Sequence, residues 1–110
     1  MIEKQLFTAL KTVCDRVYPM VMPDDAVCPF IIYQVIIESA NQATNGNLSS
    51  RDVRFQVDIF SKSYGEAKSL KDLVFSEVIG LKGGDLFSKD LYENEIELFR
   101  QLIDFKIKRT

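Results

Sequence analysis

YPMVMPDDAVCPFIIYQVIIESANQATNGNLSSRDVRFQVDIFSKSYGE, running from Tyr18 to Glu66, decides the fold. Phe30–Glu38 is nearly all β-branched or aromatic and follows Pro29, the pattern of a strand behind a proline entry. Phe30, Ile32 and Ile36 fall on one side of it; Ile31, Tyr33, Val35 and Ile37 fall on the other. A strand apolar on both faces is central in its sheet or covered by a partner subunit. Arg51–Ser61 alternates strictly. Val53, Phe55, Val57 and Ile59 face one way, Arg54, Gln56 and Asp58 the other, and Phe60 alone breaks the polar face. Between the strands, Ala40–Ser50 is polar apart from Leu48, with a turn signal at Asn45-Gly46. A hairpin turn needs only those two residues, so the surplus predicts a long working loop carried by Asn41, Gln42, Thr44, Asn45, Gly46, Asn47 and Arg51.

Outward from this stretch the pattern becomes helical. Ile2, Leu6, Leu10, Val13 and Val17 recur at intervals of three and four, which predicts a helix over Ile2–Arg16. Pro19 helps to end it, and Val21–Pro29 is turn-rich. Ser63 followed by Glu66 is a capping box and opens a second helix, with Tyr64, Ala67, Leu70, Val74 and Val78 on its buried stripe. That helix stops at Gly80, and Gly83-Gly84 predicts a turn. Leu86–Tyr92 fits a short strand. Leu98–Lys108 fits a firmer one, with Phe99, Ile103, Phe105 and Ile107 opposite Arg100, Asp104 and Lys106. The expected fold is α+β in the order α-β-β-α-β-β: a mostly antiparallel sheet with two helices on one face, in one domain spanning 1–110.

Composition narrows the chemistry. The chain has 110 residues, a net charge of −2 and no histidine. An acidic balance argues against nucleic-acid binding; Lys106, Lys108 and Arg109 form the one basic cluster and read as a solvated strand end. The usual general base and metal ligand is missing. Gly80, Gly83 and Gly84 lack the Lys-Ser/Thr pair of a phosphate loop. Asp24-Asp25, Glu93, Glu95 and Glu97 read as solvated charge. Cys14 and Cys28 read as small apolar residues. No segment approaches the length of a membrane span, and MIEKQLF is unlike a signal peptide, so the expectation is an intracellular product. No catalytic residue, cofactor site or metal site is expected. Tyr33 and Phe60 are placed on the second sheet face, where they anchor a subunit interface or pack beneath loop side chains.

The order of these pieces resembles the phage tail completion proteins, also called tail terminators, on the plan of the lambda minor tail protein U type. The matching residues are Val17-Tyr18-Pro19 after the first helix, Ala26–Tyr33 (AVCPFIIY), Thr44-Asn45-Gly46 in the loop, Arg54–Phe60 (RFQVDIF), Ser63–Ala67 (SYGEA) and the closing strand Leu98–Lys108. Gly80–Asn94 has no counterpart. The resemblance implies a structural role without catalysis. Subunits would form a ring, typically hexameric, at the head-proximal end of the tail. The ring would cap the tail tube, end its polymerisation and join it to the head. Its partners would be further copies of itself, the tail tube protein and a head-completion or connector protein, with no direct recognition of nucleic-acid sequence and no membrane. The place implied is the virion tail, after synthesis in the host cytoplasm. Two other readings stay open: a different ring-forming connector, such as a head-completion protein or tail tube component, and a small carboxylate-dependent enzyme subunit.

Overall fold

In the computed structural model, which describes residues 2–42 and 48–109, helix α1 spans Ile2–Val13 and buries Ile2, Leu6 and Leu10. The four-residue spacing stacks these side chains on one face. The helix ends earlier than Arg16 because the chain is already committed to the sheet there. The Arg16 carbonyl accepts the Ile31 N–H at 2.9 Å, and Val17–Pro19 follows as a short strand, β1. Pro19 has no N–H to offer, which an edge strand tolerates.

Four longer elements complete the sheet: β2 (Phe30–Gln42), β3 (Leu48–Ser61), β4 (Gly83–Glu93) and β5 (Leu98–Arg109), with helix α2 (Tyr64–Gly80) between β3 and β4. The strand order is β1-β2-β3-β5-β4. Only β1 and β2 are parallel; the other three pairings are antiparallel. The α+β architecture expected from the sequence holds, with β1 added to it.

The alternation of β3 and β5 sets the two faces. Val53, Phe55, Val57 and Ile59 pair with Ile107, Phe105, Ile103 and Gln101 in register. Their apolar members form one buried cluster with Ile2, Leu6 and Leu10 of α1 and Val74 and Val78 of α2. Both helices therefore cover the same face. A second, smaller cluster lies on the opposite face at one end: Phe30, Ile32, Phe60 and Leu98, with Tyr18, Met22, Ala26 and Cys28 packed against it. The turn-rich connection before β2 thus folds across the outer face.

Three expectations need correction. The strands do not stop at Glu38 and Arg51. Pairing continues through Ser39↔Asp52, Ala40↔Arg51, Asn41↔Ser50 and Gln42↔Leu48. Antiparallel neighbours satisfy each other's backbone groups, so polar side chains do not end a hairpin. The turn after α2 falls on Leu81 and Lys82, with Lys82 at φ 65, and Gly83-Gly84 already belong to β4. A Cβ on Gly83 would sit 2.4 Å from Val78 Cγ1 and 3.0 Å from the Val78 carbonyl oxygen. Gly83 is there for close approach of β4 to α2, not for a turn. Tyr33 is on the helix-facing side of β2, packed against the main cluster with its ring centroid 6.0 Å from that of Phe7.

Candidate interaction surface

The outer face of the sheet has two halves. At the β1 end it is closed by the smaller cluster. Phe60, 7% exposed, stacks on Phe30 at 4.9 Å, and the Arg100 guanidinium lies 5.7 Å from its ring centroid. Arg100 Nε donates to Asp58 at 2.9 Å, and its Nη1 donates to Glu93 at 2.7 Å. Burial opposes the Arg100 charge, but the hydrogen bonds to Asp58 and Glu93 outweigh it and raise its pKa. Gln56 adds a bond to the second Asp58 oxygen at 2.9 Å. Asp58 is thus a buried carboxylate held by an ion pair and an amide, as burial of a charge demands.

The other half is open. Arg54 Nε pairs with Asp104 at 2.7 Å, and Lys106 Nζ lies 3.9 Å from Asp52. Ile37, Ser39, Asp52, Arg54 and Lys106 line a concavity of about 130 Å³. The second Asp52 oxygen is buried without a hydrogen-bond partner among the described residues. Ile37 reaches this face through a bulge: Val35 pairs with Phe55 and Ile37 with Arg54, so Ile36 is the extra residue.

The residues expected to interact lie apart. Asn41 and Gln42 end β2, opposite Ser50 and Leu48. Thr44, Asn45, Gly46 and Asn47 lie outside the described residues. Arg51 pairs in register with Ala40 and Arg109, and its Nη1 reaches Glu38 at 3.2 Å across the hairpin. Tyr33 is half-buried, and burial raises its phenol pKa with help from Glu3. The structure does not bring Tyr33 and Phe60 together: one packs beneath α1, the other on the outer face.

A third polar cluster ties α2 to β4. Asp90 accepts from Gln101 at 2.6 Å, Tyr64 Oη at 2.7 Å and Lys68 Nζ at 3.1 Å. These three donors pull its pKa down to about 2. The same bonds to Asp90 raise the pKa values of Tyr64 and Lys68. Cys28 is held as a thiol, its pKa raised by burial. Among the described residues no three His, Cys, Asp or Glu side chains are placed to hold a metal ion together. A concavity of about 750 Å³ lies between α1 and α2 and is lined by residues of mixed character, including Lys4, Thr8, Thr12 and Glu77.

The family model for Tail completion protein gp17 matches residues 4–108. The chain belongs to this family. It is a structural protein of the phage tail, and so part of the virion. A chain of the virion of a native gene transfer agent particle shares the fold. The TM-score is 0.65 at 15% identity, over 98% of this chain and 90% of that one. No curated protein matches in sequence.

One feature of this tail completion protein was only half legible in its sequence. Val35, Ile36 and Ile37 are 36%, 47% and 63% exposed. Their apolar run predicts a central strand or a strand covered by a partner, and the strand order makes β2 central, between β1 and β3, over Ile31–Tyr33. β2 has β3 on one side and, beyond Tyr33, no strand on the other among the described residues. Which neighbour a strand lacks is a property of topology, and no local pattern encodes it.

Proposed function

We propose that the chain works by assembly, as a ring at the head-proximal end of the tail. The ring caps the tail tube, stops its growth and presents a surface to a head-completion or connector protein. The observation that carries this reading is the β2–β3 hairpin. Its last rungs, Asn41↔Ser50 and Gln42↔Leu48, lie past the final pairing with β5 at Arg51↔Arg109. The molecule is correspondingly long, 52 × 26 × 22 Å, with a radius of gyration of 15.0 Å. A compact domain of this length has a radius near ~13 Å.

A two-stranded ribbon beyond the core buries little and costs ordering entropy. It is retained where a partner supplies the missing contacts. In a ring each subunit contributes one such hairpin, and weak contacts to the tube end or the head add through multivalency. Asn41, Gln42, Thr44, Asn45, Gly46 and Asn47 bring amides and a hydroxyl, groups suited to hydrogen bonding with a partner's backbone. Arg51 and Glu38 brace the base of the hairpin. Tyr33 and Phe60 act from inside, Tyr33 supporting β2 from the helix side and Phe60 fixing the outer face. Replacing Asn41–Asn47 with a two-residue Asn-Gly turn tests this. The shortened chain is expected to fold and to form rings but to leave heads and tails unjoined; joined particles at the normal yield would sink the role given to the hairpin.

A further inference from the structure

β1 covers the edge of β2 only as far as Tyr33. Met20 then leaves that edge: its φ of 66 lies in the left-handed region, and its N–H donates to the Tyr33 carbonyl at 2.9 Å. From Gln34 to Gln42 no strand pairs with the outer side of β2 among the described residues. Val35, Ile36 and Ile37 are exposed along it, and Met20 and Val21 are exposed at its base. The bulge at Ile36 sharpens the local twist, but pairing with β3 resumes at Ile37 and runs on to Gln42. β4 is the opposite margin of the sheet; among the described residues no strand pairs with its outer side along Gly83–Glu93, and Phe87 and Tyr92 are exposed. Soluble proteins usually blunt such edges with lysines, prolines or covering loops. An edge left long and apolar is a template for strand addition.

We infer that neighbouring copies of this chain join edge to edge, Gln34–Gln42 of β2 in one copy pairing antiparallel with β4 of the next. The inference rests on the ring reading above and specifies how the ring closes. β2, β3, β5 and β4 alternate in direction, so β4 runs against β2. Rotation about an axis roughly along the strands leaves their directions unchanged. The β2 of one copy therefore meets its neighbour's β4 antiparallel. A twofold dimer would pair β2 with β2 and leave both β4 edges bare. A heterologous contact consumes one edge of each kind per subunit, and it gives a ring when the rotation between copies closes.

The register also fits. Phe87 lies level with Gln34 across the sheet, through Asp104 and Gln56. A neighbour without stagger would run the rest of β4 into β1. Four strands about 4.8 Å apart, tilted by about 35–45° to the ring axis, displace the next copy along the strands by roughly 13–19 Å, or about four to six residues. That displacement carries most of Phe87–Glu93 past β1. The side chains are complementary. Phe87 stands on the outer side of the sheet, as Ile37 does, and Tyr92 stands on the helix-facing side, as Val35 does.

The test uses the full chain with Cys14→Ala and Cys28→Ala. One set of chains carries Ile37→Cys or Ser39→Cys on β2, the other Lys89→Cys or Leu91→Cys on β4, all on the outer side of the sheet. Oligomer mass is measured alongside oxidative cross-linking. The expected result is a disulfide in at least one mixture of a β2 chain with a β4 chain, and none in either kind alone. Chains with both cysteines should give a ladder of covalent oligomers. Rings that form with no β2–β4 link in any pairing, or a link in β2 chains alone, overturn the edge pairing and leave the ring reading standing. A chain that stays monomeric at concentrations where tails assemble overturns the ring reading and this inference with it. As a separate readout, Ile36→Lys should keep the melting temperature of the dilute chain and lose the oligomer; an unchanged oligomer counts against the edge.

Discussion

Asp90 shows how much a single side chain can hold in place here. It joins Tyr64 and Lys68 of α2 to Gln101 of β5 through hydrogen bonds of 2.6–3.1 Å. The unfolded carboxyl takes its proton near the ordinary value of 3.8, the folded one near 2. Between those values the unfolded chain binds more protons, so this contribution is present above about pH 4 and is lost as pH falls towards 2. Asp90→Asn should therefore melt below the parent at pH 6, with the gap narrowing between pH 4 and pH 2. A gap that stays constant over that range would show that the carboxylate charge does not stabilise the fold. No sequence pattern marks Asp90 as a hub, because Tyr64, Lys68 and Gln101 come to it from other elements. Phe60 was conspicuous in the sequence for a simpler reason: it is apolar on a polar face. Its stack on Phe30 supplies the intramolecular partner that the pattern could not name.

Elements with a strong period were legible, and those made by tertiary fit were not. β3 and β5 follow from alternation, and α2 follows from its Ser63 cap, whose Oγ accepts the Glu66 N–H at 3.2 Å. The other half of the capping box is relayed. Glu66 Oε1 accepts from Ser61 Oγ at 2.5 Å, and that hydroxyl accepts from the Ser63 N–H at 3.0 Å. β1 was hidden because three residues ending in proline carry no period. The start of β4 was hidden because glycines signal turns and close approaches alike. Gly83 and Gly84 separate the two meanings. Gly83→Ala forces a methyl group against Val78 and should cost about 1–3 kcal/mol. Gly84→Ala meets nothing within 4 Å and should cost much less. Denaturant midpoints for the two variants check this, and equal midpoints would refute the packing assigned to the β4–α2 junction.

At the scale of the whole molecule, the sequence held the α+β plan and the hairpin, while the open edges emerged only from the strand order. The helices sit on one face, and the proposal uses the sheet margins and the half of the outer face that the smaller cluster leaves open. Two buried apolar clusters, hairpin rungs beyond the last β5 pairing and sheet edges left uncovered among the described residues are what the proposed assembly would complete. The proposal that it caps the growing tube has a direct consequence for tail length. With the chain removed from the producing phage, tubes should lose their stop signal, and electron micrographs should show headless tails of variable, extended length. Tails of uniform, normal length made without this chain would contradict the account at its centre.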